Sequence, residues 1–316
     1  MVFTHEQLKS LLNAASDAAV KAGRYIAEAQ RDTLKVLHKD SGSSLASQVV
    51  TQVDLVCEDI IYQALKEISG KYHLAFLGEE SASQHSNGAH PRLTKPYFWC
   101  VDPLDGTLAF IENIPGYAVS IALVAQNGQA LLGVVYDPVR QILYQSIATD
   151  NGFNKQILLL KNNALWQPRL SSSMAKHKTK SERILHLYVD RSFQSHARFN
   201  DIVSLLTDRF KARGFDKIKI VSQYGAVMNA LSVLENAPAC YFKLPKQSEG
   251  GGSVWDFAAT SALFKAATAY HSDMHGVDLI LNPTDSLYMH KFGVLYASDK
   301  HIALDVMTTL AKYTKL

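Results

Sequence analysis

Two aspartates stand three positions apart, directly after an apolar run, in the segment "FWCVDPLDGT" (98–107). A turn after this run would bring the carboxylates of Asp102 and Asp105 toward one point, with the carbonyl of Leu104 between them in the sequence. Hard divalent cations such as Mg²⁺ take oxygen ligands at about 2.0–2.1 Å and keep several waters, so a few acids and one carbonyl suit them. Because two like charges this close need a cation, the segment predicts a divalent metal site.

Gly106 and Thr107 follow the second aspartate and lead into a short apolar stretch. A glycine lets backbone approach closely, and the N–H groups at the start of a helix can hold a phosphate. An anion cradle beside metal-binding acids indicates phosphoryl chemistry.

Further acids stand far away in the chain. Glu79 and Glu80 end an apolar run that we expect to lie beside the strand leading to Asp102, and Asp256 follows Trp255 in the first turn of a predicted helix. Each acid alone has an ordinary explanation, as a solvated strand end or as a favourable charge at a helix N-terminus. Together they could complete one metal site.

Three other interpretations stay open at this stage. Asp-Pro and Asp-Gly are common turn dipeptides, so the segment 102–107 could be a plain strand-to-helix turn. Phosphatases that form an aspartyl-phosphate use an Asp-x-Asp pair, but here Pro103 and Leu104 both separate the acids. A protein that binds a phosphorylated metabolite without turning it over would carry similar residues, because function belongs to sites rather than folds.

The surrounding pattern predicts the elements that must position these acids. Apolar residues at helical spacing predict a first helix over 4–31, with Thr4 and Gln7 spaced as a capping box, and a second helix over 51–68 with Asp54 in its first turn. Asn127-Gly128 joins two apolar runs and predicts a hairpin, so we expect antiparallel sheet in the first half. From residue 183 onward strands alternate with helices. We therefore expect an N-terminal α+β domain over 1–165 and a C-terminal α/β domain over 166–316.

Four motifs in order resemble the Mg²⁺-dependent, lithium-sensitive phosphomonoesterase superfamily that contains inositol monophosphatases, bisphosphate nucleotidases and fructose-1,6-bisphosphatases. They are "VVTQVD" (49–54), "LGEES" (77–81), "DPLDGT" (102–107) and "WDFAA" (255–259). Each is weak alone, but four in register span most of the chain. The resemblance implies a layered αβαβα sandwich, in the α+β or α/β class, with the active site between its halves.

The resemblance also implies a role for each acid. The ligands of two or three Mg²⁺ would be Glu79, Asp102, the Leu104 carbonyl, Asp105 and Asp256. Asp54 would hydrogen-bond Thr107, and this pair, with Glu79, would orient and deprotonate the attacking water, while Gly106 and Thr107 would hold phosphoryl oxygens. The division of labour is physically sound, because divalent cations lower the pKa of water and stabilise both the attacking and the leaving oxygen.

The substrate branch rests on Lys243. In the inositol phosphatases an acidic side chain that binds ring hydroxyls precedes the Trp-Asp motif, and the matching position here is Lys243 in "CYFKLPK" (240–246). A cation suits a second phosphate better than neutral hydroxyls. We therefore expect a 3'(2'),5'-bisphosphate nucleotidase that converts adenosine 3',5'-bisphosphate to AMP and phosphate, with inositol monophosphatase as the alternative.

Two departures from the nucleotidase pattern leave the substrate open. Leu108-Ala109 stand where those enzymes usually have Lys-Glu, and "QSEGGGS" (247–253) lengthens the approach to Asp256. Neither change touches the expected metal ligands.

Composition limits the partners. The formal charge of +3, from 32 basic and 29 acidic residues, is too balanced to indicate binding to nucleic acid or a membrane surface, so a small phosphate monoester fits better. The three cysteines are far apart in apolar sequence and predict a reducing compartment. The N-terminal residues lack a secretory pattern, and we expect a cytoplasmic protein, with a homodimer left open.

Overall fold

The computed structural model describes residues 2–29, 36–38, 49–84, 90–150, 155–170 and 182–314. Its helices are α1 (His5–Glu28), α2 (Gln52–Tyr72), α3 (Thr107–Ile111), α4 (Arg191–Gln194), α5 (Phe199–Ala212), α6 (Ala226–Glu235), α7 (Val254–Ala267) and α8 (Lys300–Leu310). Its strands are β1 (Val36–His38), β2 (Val49–Thr51), β3 (Ala75–Gly78), β4 (Tyr97–Asp105), β5 (Ala118–Ala125), β6 (Ala130–Asp137), β7 (Ile142–Asp150), β8 (Lys155–Lys161), β9 (Ala164–Leu165), β10 (Ile184–Tyr188), β11 (Lys217–Val221), β12 (Ala239–Lys243), β13 (Tyr270–Ser272) and β14 (Val294–Ala297).

Within these ranges the strands form two large sheets and one small ribbon. A seven-stranded sheet runs in sequence order from β3 to β9, a five-stranded sheet has the order β11-β10-β12-β14-β13, and β1 pairs with β2. In the seven-stranded sheet only β3 and β4 pair in parallel, and the rest is antiparallel. The predicted hairpin is confirmed, because β5 and β6 pair antiparallel on either side of Gly128, whose φ is +86°.

Helices fill the space on and between the two sheets, and three apolar clusters show the layering. The first cluster joins α1 and α2 to one face of the seven-stranded sheet. The second places α6 and α7 between the other face of that sheet and the five-stranded sheet, and the third joins α5 and α8 to the outer face of the five-stranded sheet. The order is therefore helix, sheet, helix, sheet, helix, which confirms the expected αβαβα sandwich.

Helix α7 is the centre of the sandwich. Its sequence, "VWDFAATSALFKAA", is apolar on all sides, as expected for a helix buried between two sheets. Gly133 of β6 allows a close approach, since a Cβ at Gly133 would lie 2.3 Å from the carbonyl oxygen of Ala259 on α7. Asp256 in the first turn of α7 is thus carried by an element that packing holds firmly.

Helix α1 begins where the sequence predicts. Gln7 N–H donates to Thr4 Oγ1 at 3.2 Å, and Thr4 N–H donates to Gln7 Oε1 at 2.8 Å, which completes the predicted capping box. Helix α2 runs four residues beyond the predicted end at Ile68. Over the described ranges, none of the helices combines the length and the apolar character needed to cross a bilayer.

Candidate metal centre

The "DPLDGT" segment remains in the sheet longer than the sequence predicts. Strand β4 continues to Asp105, which pairs with Ala118 of β5, whereas Asp102 pairs with Ser120, and a bulge separates the two registers. Pro103 and Leu104 lie opposite the single residue Val119, so the bulge holds one extra residue and lets both acids stay in one strand while their side chains turn to the same place. Asp102 and Asp105 are 2% and 7% exposed, so the sheet buries both carboxylates.

Asp256 joins these two acids from the second half of the chain. Its Oδ2 accepts a hydrogen bond of 2.9 Å from the N–H of Ser253, which fixes the carboxylate at the start of α7. One carboxylate oxygen from each of Asp102, Asp105 and Asp256 lies within 4.8 Å of the others. Residues 154 positions apart in the chain, at 102 and 256, therefore meet in one acidic cluster.

The electrostatics of the acidic cluster are those of a cation site. Burial, and then the neighbouring charges of Glu79, Asp105 and Asp256, hold the pKa of Asp102 well above its ordinary value. Burial and Asp256 likewise raise the pKa of Asp105, and burial is the largest cause that raises the pKa of Asp256 to about 6. Three buried carboxylates that repel one another supply the hard oxygen ligands that a divalent cation takes, so the residues present fit a bound metal ion.

Glu79 lies next to the acidic cluster in the turn that follows β3. Gly78 pairs with Val101 of β4, and the N–H of Glu79 donates to the carbonyl of Val101 at 3.1 Å. The strand that carries Glu79 therefore does lie beside the strand that carries Asp102. Glu79 is half-buried, and its charge is the foremost among those that raise the pKa of Asp102.

Asp54 and Thr107 meet as the resemblance implies. Asp54, 2% exposed in the first turn of α2, lies with its Oδ1 3.0 Å from the Oγ1 of Thr107, the first residue of α3. The same hydroxyl lies 3.2 Å from the carbonyl oxygen of Leu104. A hydroxyl has one hydrogen to donate, so Thr107 can donate to only one of these acceptors at a time.

Gly106 adopts a conformation that favours glycine. Its φ is +87°, and a Cβ at this position would lie 2.8 Å from the carbonyl oxygen of Gly116. Gly106 therefore gives the chain room to turn from β4 into α3, close to Asp105.

Asp105 also receives two hydrogen bonds that the sequence did not predict. Its carboxylate accepts from the N–H of Ala226 at 3.0 Å and of Val227 at 2.9 Å, in the first turn of α6. A Cβ at Gly225 would lie 2.3 Å from Asp105 Oδ2, so a glycine is needed for this contact. In the sequence, the glycine at position 225, directly before α6, is the feature that could have indicated this close approach.

Lys243 lies beside the acidic cluster and in contact with Asp190, an acid that belongs to none of the four sequence motifs. Its Nζ is 2.7 Å from Asp190 Oδ2, while Tyr241 OH donates to Asp190 Oδ1 at 2.8 Å. Burial acts to lower the pKa of Lys243, but Asp190, Asp256 and Asp105 outweigh it and the net shift is upward. The ammonium group therefore stays charged, in contact with Asp190 and attracted by the charges of Asp256 and Asp105.

Comparison with known proteins gives matches over most of the chain. The family model described as "Inositol monophosphatase family" matches residues 7–314. Inositol monophosphatase 3 of Solanum lycopersicum is 28% identical over 275 residues, which are 87% of this chain and 90% of that protein. Nus factor SuhB of Pseudomonas aeruginosa is 37% identical over 136 residues, 42% of this chain and 46% of that protein, so this match spans about half the length of the relative.

Solved structures agree on the fold. SuhB of Bartonella henselae superposes with a TM-score of 0.66 at 22% identity, over 96% of this chain and 99% of that one. Inositol monophosphatase from Anabaena (Nostoc) sp. PCC 7120 gives a TM-score of 0.65 at 18% identity, over 97% of both chains.

The αβαβα sandwich and the family match together define a phosphomonoester hydrolase. The chain belongs to the inositol monophosphatase family. Proteins of this family are metal-dependent and act on small phosphate monoesters, and the acidic cluster of Asp102, Asp105 and Asp256 is a group that could hold a metal ion here.

Proposed function

We propose that this protein is a Mg²⁺-dependent phosphomonoesterase that removes the 3' phosphate from adenosine 3',5'-bisphosphate or a closely related bisphosphate nucleotide. The observation that supports this substrate class is the position of Lys243, whose ammonium lies beside the acidic cluster, 2.7 Å from Asp190. A substrate with a second anionic group gains a favourable contact there, whereas a neutral inositol ring does not.

The proposed ligands for two or three Mg²⁺ are Glu79, Asp102, the Leu104 carbonyl, Asp105 and Asp256. A bound divalent cation would lower the pKa of water and would stabilise the negative charge on the attacking and leaving oxygens. The support is the closeness of Asp102, Asp105 and Asp256, whose oxygens lie within 4.8 Å of one another.

The other residues of the site bind and orient. The Thr107 hydroxyl donates its hydrogen to Asp54 Oδ1. The lone pairs of the Thr107 oxygen can then accept a hydrogen bond from a water molecule. With Glu79 this pair would orient the attacking water and take up its proton, which is general base catalysis. Gly106 and Thr107 would hold phosphoryl oxygens at the turn into α3.

Inositol monophosphatase activity is the second candidate. It is favoured by the names of relatives, such as Inositol monophosphatase 3 of Solanum lycopersicum, and by the ion pair that Asp190 makes with Lys243. In that ion pair, Asp190 would offer its carboxylate to the hydroxyls of an inositol ring, and it neutralises part of the charge of Lys243.

A phosphate-release panel separates the candidates. With Mg²⁺ present, the proposal expects the highest kcat/KM for adenosine 3',5'-bisphosphate, compared with myo-inositol 1-phosphate and fructose 1,6-bisphosphate. Lys243→Glu should reduce that preference by about 10- to 100-fold, because a hydrogen bond to a charged group contributes about 1.5–3 kcal/mol. Lys211→Glu, the same charge change at an exposed position of α5, is the matched control.

Two results would change the proposal. A clear preference of the unaltered protein for myo-inositol 1-phosphate would replace the nucleotidase by the inositol phosphatase. Phosphate release that persists in Asp105→Asn, with exposed Asp208→Asn as control, would remove the acidic cluster from the reaction. The panel run with LiCl also tests the expected lithium inhibition.

A further inference from the structure

Glu58 is a buried carboxylate that has no role in the proposed phosphoryl chemistry. It lies on α2, one helical turn after Asp54, and is 7% exposed. Glutamate is rarely this buried unless its carboxylate is satisfied by partners. Glu58 therefore needs a structural or functional reason.

The partners of Glu58 come from the turn that carries Glu79. The N–H of Glu80 donates to Glu58 Oε2 at 2.8 Å, and both the backbone and the side chain of Ser81 hydrogen-bond to the same carboxylate. Hydrogen bonds to a charged acceptor are about twice as strong as neutral ones. The hydrogen bonds from Glu80 and Ser81 therefore tie the turn 79–81 to Glu58 on α2.

Gly78 makes room for this contact. A Cβ built on Gly78 would lie 2.3 Å from Glu58 Oε2 and 2.4 Å from its Cδ. The φ of Gly78 is outside the left-handed region, so the backbone itself would accept an alanine. The glycine leaves the carboxylate of Glu58 in place, because a Cβ at residue 78 would make that carboxylate shift away from the turn.

Glu79 is thereby fixed on both sides. Its own N–H donates to Val101 of β4 at 3.1 Å, and the next N–H, that of Glu80, donates to Glu58. The peptide units before and after the Glu79 Cα are both tied to rigid elements, a strand and a helix. The same helix also carries Asp54, which contacts Thr107 at the other turn of the site.

We propose that Glu58 is the positioning residue for Glu79: its carboxylate holds the turn 79–81 so that Glu79 faces the acidic cluster, and it thereby sets the affinity of the site for divalent cations. This inference rests on the proposed function only in taking Glu79 as a cation ligand. The effect does not require contact between Glu58 and the cation. Residues that orient metal ligands in this way typically change metal affinity by about 10- to 100-fold when they are replaced.

The test measures Mn²⁺ binding to the metal-free full-length protein by electron paramagnetic resonance, well below the melting temperature. Glu58→Gln and Gly78→Ala should each weaken Mn²⁺ binding by about 10-fold or more. The amide introduced by Glu58→Gln would point an N–H₂ group at backbone donors, and the methyl group introduced by Gly78→Ala would displace the carboxylate. Asp59→Asn, an exposed neighbour on α2, should bind Mn²⁺ as the unaltered protein does.

A double variant distinguishes positioning from general damage. Glu58→Ala removes the atoms with which a Cβ at residue 78 collides, so Gly78→Ala should add no further loss of Mn²⁺ affinity in that background. Losses that simply add would contradict the shared contact. Wild-type Mn²⁺ affinity in folded Glu58→Gln and Gly78→Ala would overturn the proposal, even if their melting temperatures fall.

Two outcomes separate this inference from the proposed function. If Glu79→Gln leaves Mn²⁺ binding unchanged while Asp105→Asn weakens it, the positioning role of Glu58 fails and the phosphatase proposal stands. If the Glu58 variants weaken Mn²⁺ binding but the unaltered protein releases no phosphate from any ester of the panel, the inference stands and the proposed substrate class fails.

Discussion

The hydroxyl of Thr107 is the residue-scale feature that most directly links two parts of the site. It lies 3.0 Å from Asp54 Oδ1 on α2 and 3.2 Å from the carbonyl oxygen of Leu104 at the end of β4. If Asp54 and Thr107 together orient the attacking water, the hydroxyl has to be present, whereas the size of the side chain matters less.

Thr107→Val therefore should lower kcat strongly with little change in stability. Valine keeps the shape but removes the hydroxyl, and general base catalysis contributes about 10²- to 10⁴-fold. Thr107→Ser keeps the hydroxyl and should retain most of the activity. Phosphate-release kinetics of the two variants check this prediction, and equal kcat values for valine and serine would show that the hydroxyl takes no part.

At this scale the sequence shows which acids stand at the ends of elements, but it does not show which distant residues those acids contact. Asp102 and Asp105 follow an apolar run and Asp256 stands in the first turn of a predicted helix, and the structure brings the three acids together. Asp190 follows the apolar run "ILHLYV" (184–189) and so carries the same kind of signal, whereas Glu58 lies inside α2 and has none. Their partners, at Lys243 and in the turn 79–81, are distant in the chain and become visible only once the sheets are assembled.

At the scale of elements, the contact between β6 and α7 holds one side of the site. Gly133 brings the strand against the helix backbone, and α7 carries Asp256 at its start. A methyl group at Gly133 would lie 2.3 Å from a backbone oxygen, which cannot move as a flexible side chain could.

Gly133→Ala should lower the free energy of unfolding by about 1–3 kcal/mol, the usual effect of overpacking in a core. Urea denaturation followed by circular dichroism measures this as a lower midpoint with an unchanged slope. Gly70→Ala is the matched control: Gly70 is exposed on α2, and a Cβ there meets nothing within 4 Å. It should leave stability unchanged or raise it by about 0.4–1 kcal/mol, so a similar loss in both variants would argue against the packing explanation.

The elements show where sequence patterns succeed and where they fail. Apolar periodicity and turn chemistry predict helices over 4–31 and 51–68 and a hairpin at Asn127-Gly128. The structure contains the hairpin, and α1 and α2 confirm both helices, although they cover His5–Glu28 and Gln52–Tyr72 and so end up to four residues from the predicted ends. The bulge in β4 does not follow, since Asp-Pro predicts a turn, whereas pairing with β5 continues to Asp105. Tertiary pairing outweighs the local turn signal there.

At the scale of the whole molecule, the stability of the folded protein should depend on whether the acidic cluster binds protons or a divalent cation. The carboxyl groups of Asp102, Asp105 and Asp256 have pKa values raised by burial and mutual repulsion, for Asp256 from 3.8 to about 6. A carboxyl group whose pKa is higher in the folded state binds more protons folded than unfolded between the two values. The free energy of unfolding of the metal-free protein therefore falls as the pH rises through that window.

The melting temperature of protein treated with a chelator should therefore fall as the pH rises from about 4 to above 6, because the folded state loses the protons that it binds more tightly than the unfolded state. Added Mg²⁺ should raise the melting temperature more at pH 7.5 than at pH 5, because at the lower pH protons compete for the same oxygens. Differential scanning calorimetry measures both effects. In Asp256→Asn both should be smaller, and an unchanged pH profile in that variant would contradict the assigned cause.

The fold of the whole chain could be predicted from four short motifs, and the αβαβα layering and the family match confirm that part. The division into domains at 165/166 stays a prediction. Substrate choice could not be fixed from the sequence, and the proposal for it rests on Lys243, whose contact with Asp190 becomes visible only in the folded protein.

The most direct test of the account is an anomalous diffraction map from crystals of the protein soaked in MnCl₂. We expect Mn²⁺ peaks among the carboxylates of Asp102, Asp105 and Asp256, at about 2.0–2.2 Å from their oxygens, with a further contact to Glu79. A map with no peak there, or with Mn²⁺ only on unrelated surface acids, would contradict the central claim that these residues form the metal centre of a phosphatase.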